Sequence, residues 1–347
     1  MWTYWMMYLI PAVTAVLFEE RRRIGNLCIS WFLMGLFFVL CIGLRFKVGG
    51  DWGSYLLHYE KEVGVAFTAS MLEGDPGYIF LNRLMAHLNW GIYGVNAACG
   101  VLFTGGLIVF CRTLYRSWLA FAVAVPYLVV VVAMGYTRQG AALGLIFAAL
   151  AVLEKGRFLH YVAFIAAAAL FHQTAIIMVP LGVFLYRKGW LYRIVAVGLI
   201  GFALWDALVA QDMERLWNVY VEQKMHSQGA EIRVAMNFFA AVFLLLYWKQ
   251  WKKVYPNALL WLWMALAAVA CVFLVRFATT AVDRLALYLT PLQVVVFSRL
   301  PFLARKQLHP ETIMLCVLLG YGAVLFVWLN YAVHARYWIP YRNILFE

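Results

Sequence analysis

The chain has 347 residues, of which 66% are hydrophobic and 13% are charged, and its formal net charge is +12. Soluble domains carry about 25% charged residues, so this composition excludes an ordinary water-soluble protein. Apolar runs recur along the whole length and leave no segment long enough for a separate aqueous domain. Because backbone amides in lipid must be hydrogen bonded within the chain, these runs predict helices and exclude a lipid-facing open sheet.

In chain order, the apolar runs predict about 12 membrane spans, within a range of roughly 10 to 13, because one span needs about 20 apolar residues. We therefore expect an all-α polytopic membrane protein with a single transmembrane domain over residues 1–347. The first run has no positive charge before it and EERRR after it, the reverse of a secretory signal, so we expect it to remain as a span. The predicted spans are centred near residues 10, 34, 103, 126, 146, 165, 180, 200, 242, 267, 291 and 320.

The distribution of basic residues predicts the orientation. Loops on one side hold the whole formal excess of +12, including Arg21, Arg22, Arg23, Arg187 and Lys188, whereas loops on the other side are balanced in charge. We expect the basic side to be cytoplasmic. Both termini and two longer segments, residues 45–90 and 206–233, then face outward. The basic excess is thus a topology signal, and no nucleic-acid partner is expected.

The loops on the basic side are short and contain no Walker loop, no dinucleotide glycine pattern and no His-Glu-x-x-His sequence. The six cysteines all fall in apolar runs, which argues against a disulfide framework or a metal cluster. We therefore expect no cofactor and no metal. The polar chemistry is expected on the outer side.

The first outer segment opens with RFKVGGDWGSY. Arg45 lies at the membrane boundary, Asp51 supplies a carboxylate, and Gly49 and Gly50 allow a tight turn with a close backbone approach. The alternative is an ordinary interfacial turn with a snorkelling arginine.

The same segment continues with EGDPGYIFLNRLMAHL. Asp75 is suited to cap a helix that has Pro76 at its first position. A broad apolar face predicts that this helix is amphipathic and lies in the interface or dips back into the protein. The face comprises Tyr78, Phe80, Leu81, Leu84, Met85 and Leu88.

Two further polar groups lie at the ends of predicted spans. Arg138 and Gln139 begin a span whose next residues are small, so close helix packing is expected there. An arginine beside a glutamine offers a forked set of donors for phosphate, although it is equally suited to a membrane anchor. His172 interrupts an apolar stretch, which marks either a functional residue or a hydrogen-bonded structural histidine.

The last two groups are an outer turn and the carboxyl-terminal tail. The turn carries Arg276, Asp283 and Arg284, of which the adjacent Asp and Arg are suited to pair with each other. The tail, HARYWIPYRNILFE, is rich in aromatic residues. Trp338 and Tyr341 are suited either to an interfacial aromatic belt or to stacking on sugars.

These motifs, in this order, resemble the EpsG family of bacterial exopolysaccharide polymerases, which are similar to Wzy polymerases. The resemblance extends over nearly the whole chain. One departure is Gly49-Gly50-Asp51, where the family commonly has Gly-Thr-Asp, so a less firmly placed Asp51 is expected. The matching positions are Arg45, Gly50-Asp51, Tyr55, Asp75-Pro-Gly-Tyr78, Arg138-Gln139, Phe171-His172, Asp283-Arg284 and Trp338-Ile-Pro-Tyr341.

The resemblance implies a GT-C-like helical bundle in the bacterial inner membrane, with its active site and both termini in the periplasm. The implied reaction transfers a growing glycan from undecaprenyl pyrophosphate to a new lipid-linked repeat unit and releases undecaprenyl pyrophosphate. The implied partners are these lipid-linked glycans, membrane lipid and a chain-length regulator.

The resemblance also suggests roles for individual residues. Asp51 is the first candidate for positioning or deprotonating the acceptor hydroxyl, followed by His172 and Asp283. The outer segment 206–233 is suited to contact the glycan through Trp217, Tyr220, Glu222 and Gln223. Substrate-binding residues, with the arginines directed at the pyrophosphate, are Arg45, Tyr55, Arg138, Gln139, Arg276, Arg284, Trp338 and Tyr341.

Two other classes of function remain open from the sequence. A flippase or transporter of lipid-linked oligosaccharide would also have about a dozen spans, but such proteins often contain repeated halves with charges near the midplane. A glycan ligase or acyltransferase would act at the same membrane surface. No clear internal repeat is present, and the charged groups lie toward one face.

Overall fold

The computed structural model describes residues 1–18, 27–71, 74–184, 190–208 and 229–347. Within these residues all regular secondary structure is helical, apart from a single antiparallel bridge between Arg45 and Asn343. Long apolar runs satisfy their backbone hydrogen bonds locally in this way, as a lipid environment requires. The predicted all-α fold class is confirmed.

The helices are named in chain order. They are α1 Trp2–Leu17, α2 Leu27–Gly43, α3 Trp52–Glu62, α4 Pro76–His87, α5 Gly91–Cys111, α6 Ser117–Ala124, α7 Thr137–Glu154, α8 Phe158–Phe171, α9 Trp190–Leu208, α10 Ala230–Leu246, α11 Trp248–Val254, α12 Ala258–Leu274, α13 Thr279–Tyr288, α14 Pro291–Leu303 and α15 Pro310–Tyr331. A π-helical stretch, Val125–Ala133, continues α6. Short 3₁₀ helices cover Gln173–Phe184, Val333–Tyr337 and Ile344–Phe346.

Every predicted span centre falls within one of these helical segments. By length and composition, three helices in the described residues are able to cross a membrane, or up to five if each of two bent pairs forms one span. The three are α5, α7 and α15, and the bent pairs are α10 with α11 and α13 with α14. This supports a polytopic helical membrane protein. The count of 12 spans and the GT-C-like arrangement stay predictions.

The chain separates into two compact units, each of which is described by itself. The first comprises Met1–Ala148, Leu170–His172 and Cys316–Glu347. The second comprises Ala149–Ala169 and Gln173–Leu315. The single transmembrane domain predicted from the sequence stays a prediction.

Two glycines set the distance between α5 and α7 in the first unit. A Cβ atom at Gly106 would lie 1.8 Å from the carbonyl oxygen of Gly144. A Cβ atom at Gly144 would lie 2.3 Å from the carbonyl oxygen of Leu102. The close packing predicted for the small residues of α7 is therefore confirmed, and the beginning of α7 is held rigidly against α5.

The carboxyl-terminal tail returns to the end of α2, also within the first unit. The Phe46 amide donates to the Arg342 carbonyl, and the Ile344 amide donates to the Leu44 carbonyl. The Gly49 amide donates to the Tyr337 carbonyl at 3.0 Å. The tail therefore braces the loop that leads from α2 to α3.

In the second unit, α10 packs against α12, α13 and α14. The axes of α13 and α14 differ by 50°, and Pro291, which lacks an amide proton, is the first residue of α14. Asn237 of α10 spans this bend, because its amide donates to the Ala286 carbonyl and its side-chain oxygen accepts from Gln293.

Some predictions fall outside the described residues. They concern the basic residues Arg21, Arg22, Arg23, Arg187 and Lys188, and the glycan-contacting candidates Trp217, Tyr220, Glu222 and Gln223. Of the outer segment 206–233, the structure describes residues 206–208 and 229–233.

The contact between α5 and α7 predicts that alanine substitution lowers stability at one of two adjacent glycines and not at the other. Gly106→Ala should destabilise the protein by about 1 to 3 kcal/mol, because the added methyl group collides with rigid backbone. Gly105→Ala is the matched control, since nothing lies within 4 Å of a Cβ atom there. Thermal unfolding of both detergent-purified variants should show a lower midpoint for Gly106→Ala alone. Equal midpoints would contradict the packing described for these helices.

Candidate active site

Arg45 is a buried hub, with 1% of its surface exposed. Its guanidinium donates to the carbonyls of Val48 and Ile42, and Nη2 donates to Asn96 Oδ1 at 3.2 Å and to Thr137 Oγ1 at 2.8 Å. These contacts join the end of α2 to α5 and to the first residue of α7. These donors all bond to the protein, and Arg45 thereby positions the beginning of α7. The binding of pyrophosphate by Arg45 stays a prediction.

The loop after Arg45 has the tight backbone predicted from its glycines. Gly49 has a φ of +110°, and a Cβ atom there would lie 2.5 Å from the Met134 carbonyl oxygen. Asp51 follows as the residue before α3 and is partly exposed. One turn later, Tyr55 is buried and its ring lies 5.8 Å from that of Tyr78. The loop thus delivers Asp51 and Tyr55 to the same helix.

Asp75 begins α4 at the predicted position, with Pro76 as the first helical residue. However, its carboxylate makes no capping hydrogen bond to the helix backbone. Oδ2 instead accepts from Arg138 Nη1 at 2.8 Å and lies 3.8 Å from His172 Nδ1. The interpretation of Asp75 as a helix cap is therefore corrected, because an arginine competes for the carboxylate and forms a charge-assisted hydrogen bond.

Arg138 is held between this carboxylate and two aromatic rings. Its Cζ atom lies 5.9 Å from the ring centres of both Tyr55 and Tyr78. A guanidinium over an aromatic face is stabilised by the ring quadrupole. About a third of the side chain, 34%, remains exposed, whereas that of Asp75 is 8% exposed. Arg138 is therefore a preorganised cation with an accessible surface.

Gln139, the next residue, orients His172. Its side-chain Nε2 lies 2.9 Å from His172 Nε2. Because the amide N–H donates to Nε2, the neutral imidazole carries its proton on Nδ1, the nitrogen that faces Asp75. His172 therefore links Gln139 to Asp75. We call Tyr55, Asp75, Tyr78, Arg138, Gln139 and His172 together the Arg138 cluster.

The helices that carry this cluster are joined by Arg83. Its Nε donates to Glu62 Oε2 at 2.6 Å, and its remaining nitrogens donate to the carbonyls of Ala66, Ala69 and Ser70. Arg83 is buried, so these contacts close the loop after α3 onto α4. The face of α3 that bears Tyr55 is held toward α4 as a result.

Three members of the expected site lie in the second unit. Both carboxylate oxygens of Asp283 accept from Arg233, at 2.6 Å each. This bidentate pair engages both oxygens, and the role of Asp283 as a catalytic base stays a prediction. Arg284 is half-buried and Arg276 is exposed.

The tail residues proposed to stack on sugars have structural contacts instead. Trp338 is 2% exposed, and its indole Nε1 donates to the Val130 carbonyl at 2.7 Å. The Tyr341 hydroxyl donates to the Cys41 carbonyl at 3.0 Å, and its ring meets Tyr4 edge to face. The indole of Trp338 is buried, and the stacking of Trp338 and Tyr341 on sugars stays a prediction. Tyr341 is partly buried and fastens the tail to α2.

Sequence reasoning missed the role of Asp75 in the cluster and did not consider His58. The approach of Asp75 to Arg138 joins residues 63 positions apart, for which no local sequence signal exists. A periodic signal for His58 was present, since it follows Tyr55 by three residues on the same helix face. Within the described residues, no group of three or more His, Cys, Asp or Glu side chains is placed to hold a metal ion.

Comparison with known proteins gives one family. The EpsG family matches residues 28–343, which include all of the second unit, most of the first and every member of the Arg138 cluster. The chain belongs to the EpsG family. No curated protein and no solved structure matches it. Membership of the EpsG family indicates a membrane protein of exopolysaccharide polymerisation, an activity of the glycosyltransferase type.

The buried hub predicts a large effect for a conservative change in this EpsG chain. Arg45→Lys should destabilise the protein by about 1.5 to 3 kcal/mol, because one ammonium cannot replace hydrogen bonds in four directions. Arg342→Lys is the control, since Arg342 is half-exposed and its 3.8 Å ion pair with Glu347 lies at the surface. Surface pairs contribute about 0 to 1 kcal/mol. Unfolding midpoints that fall equally in both variants would overturn the structural role of Arg45.

Proposed function

We propose that this EpsG protein is a polysaccharide polymerase of the bacterial inner membrane. In this proposal it transfers a growing glycan from undecaprenyl pyrophosphate to a new lipid-linked repeat unit at the periplasmic leaflet. Family membership supports polymerisation, and the Arg138 cluster supports the pyrophosphate donor. The charge asymmetry of the loops supports a periplasmic site and periplasmic termini.

The observation that carries the proposal is the state of Arg138. Its charge is balanced by the Asp75 carboxylate, 2.8 Å away. A pyrophosphate oxygen is an acceptor of the same kind and presents more negative charge. The partly exposed guanidinium is suited to bind it, and it remains supported by Tyr55 and Tyr78.

Exchange of acceptors around Arg138 requires a place for the Asp75 charge. His172 Nδ1 lies 3.8 Å from the same Asp75 oxygen and carries the proton that Gln139 favours. A small movement brings these groups into a hydrogen bond. Asp75, Gln139 and His172 thus act as positioning residues, and Arg138 is the residue that meets the donor.

The transfer itself breaks the bond between the anomeric carbon of the donor glycan and a pyrophosphate oxygen. A hydroxyl group of the acceptor repeat unit forms the new glycosidic bond and loses its proton. The electron pair of the broken bond leaves with undecaprenyl pyrophosphate, whose developing charge Arg138 stabilises. Fixed cations aimed at a developing anion are effective because they need no reorganisation during the reaction.

Other expected participants remain proposals. Asp51 lies at the beginning of α3, one turn from Tyr55, and is placed to position an acceptor hydroxyl. The binding of phosphate or glycan by Arg276 and Arg284 also stays a proposal. We retain a chain-length regulator as a protein partner and membrane lipid as the surroundings of the helices.

The experiment changes Arg138 alone. Purified variants, compared at equal folded amount, receive lipid-linked repeat units as the only substrate, and the polymer ladder is measured. Arg138→Ala should slow polymerisation by about 10 to 100 fold, because a charge-assisted hydrogen bond contributes about 1.5 to 3 kcal/mol. Arg138→Lys should be impaired less, since an ammonium offers charge without the fork. Arg336→Lys, at an exposed residue of the tail, is the control and should leave the ladder unchanged.

Wild-type ladders from both Arg138 variants would eliminate the pyrophosphate role. Failure of the wild-type protein to lengthen repeat units would contradict polymerisation itself. Cells that lack the protein distinguish the other classes. Loss of a polymerase leaves single repeat units outside, loss of a flippase leaves them inside, and loss of a ligase leaves free long chains.

A further inference from the structure

One face of helix α3 carries four side chains that can form hydrogen bonds or exchange protons. Asp51, Tyr55, His58 and Glu62 follow one another at intervals of four, three and four residues, which places them on one face of a helix. Tyr55 lies against Arg138, and Glu62 is bonded to Arg83 of α4. His58 lies between these two fixed points, so it belongs to the face that is turned toward α4 and Arg138.

The charges around His58 come from three parts of the first unit. Arg138 of α7 and Lys61 of α3 disfavour a second positive charge, whereas Asp75 before α4 and Glu62 of α3 favour it. Partial burial is the largest effect, and together these influences lower the pKa of His58 below its usual value. The surroundings therefore favour the neutral form of the imidazole. Among the described residues no hydrogen bond engages it.

The other groups near Arg138 are less suited to accept a proton. The carboxylate of Asp75 is bonded to Arg138, and Nε2 of His172 is bonded to Gln139. Asp51 is a carboxylate at a partly exposed helix end. General bases are most effective when their pKa lies near the working pH, which favours an imidazole over a carboxylate.

We propose that His58 is the general base of the transfer, the group that accepts the proton of the acceptor hydroxyl. This inference rests on the function proposed above and adds a residue to which the resemblance assigned no role. Asp51 then orients the acceptor from the preceding turn of the same helix. In this proposal Arg138 stabilises the leaving group, and His58 accepts the proton of the nucleophile.

The step is balanced in atoms and charge. The acceptor oxygen forms its bond to the anomeric carbon while its proton passes to an imidazole nitrogen of His58. The bond from the anomeric carbon to the pyrophosphate oxygen breaks, and its electron pair stays on undecaprenyl pyrophosphate beside Arg138. The imidazolium then returns its proton to water, which His58 reaches because its side chain is exposed.

The electrostatic influence of Arg138 on His58 predicts how activity depends on pH. A base acts in its neutral form, so activity should be present above its pKa and fall as the pH drops through it. Bound pyrophosphate offsets the positive charge of Arg138 and so raises the pKa of His58 in the complex. The acidic limb of kcat, which reports the complex, should therefore lie at higher pH than that of kcat/KM, which reports the free enzyme.

The test compares pH profiles of polymerisation by the wild-type protein, His58→Gln, Asp51→Asn and His87→Gln. His58→Gln should lower kcat by about 100 to 10,000 fold with little change in KM, and it should abolish the acidic limb. Asp51→Asn should keep that limb. His87→Gln is the matched control, an exposed histidine of the same segment whose ring packs on Phe67, and it should retain both rate and profile.

A second variant separates chemistry from folding. Added imidazole should restore part of the rate of His58→Ala and none of the rate of Arg138→Ala. If the wild-type protein lengthens repeat units but His58→Gln keeps its rate and its acidic limb, the His58 assignment is wrong while the polymerase function stands. If the wild-type protein forms no polymer from lipid-linked repeat units, the proposed function fails, and the role of His58 fails with it.

Discussion

The hydrogen bonds of one buried guanidinium, that of Arg45, fix the positions on which the candidate site depends. This side chain joins the end of α2, Asn96 of α5 and Thr137, the first residue of α7. Thr137 directly precedes Arg138, so the anchor acts one residue away from the exposed cation. A buried arginine is stable only when its donors are satisfied, and this requirement holds three helix ends in a single arrangement.

Three arginines of the first unit, Arg45, Arg83 and Arg138, have different roles in this arrangement. Arg45 and Arg83 are buried and donate to backbone carbonyls and to side chains of neighbouring segments, which makes them structural. Of these three, Arg138 is the one with a partly exposed side chain, and the carboxylate of Asp75 balances its charge. A carboxylate is the protein group that most resembles a phosphate oxygen as an acceptor. In the proposed reaction, Arg138 exchanges the Asp75 carboxylate for a pyrophosphate oxygen.

The sequence predicted the helices well because the requirement for apolar residues in lipid is local and repetitive. It also predicted the start of α4 at Asp75 and Pro76, and the tight backbone at Gly49. It could not predict that the Asp75 carboxylate would accept a hydrogen bond from Arg138 instead of capping α4, or that Trp338 would be buried and bonded to the Val130 carbonyl. Those outcomes depend on pairs of residues distant in the chain, and the energies of competing hydrogen bonds decide them.

Recognition of a pyrophosphate by Arg138 can be tested by direct binding, without any need for turnover. The affinities of a polyprenyl diphosphate and of the matching monophosphate would be measured on protein in lipid nanodiscs, for the wild type and for Arg138→Gln. The wild type should bind the diphosphate more tightly than the monophosphate. Arg138→Gln should lose this preference, because its affinity for the diphosphate should be about 10 to 100 fold lower. If Arg138→Gln still preferred the diphosphate to the same extent, Arg138 would not be the residue that recognises the pyrophosphate.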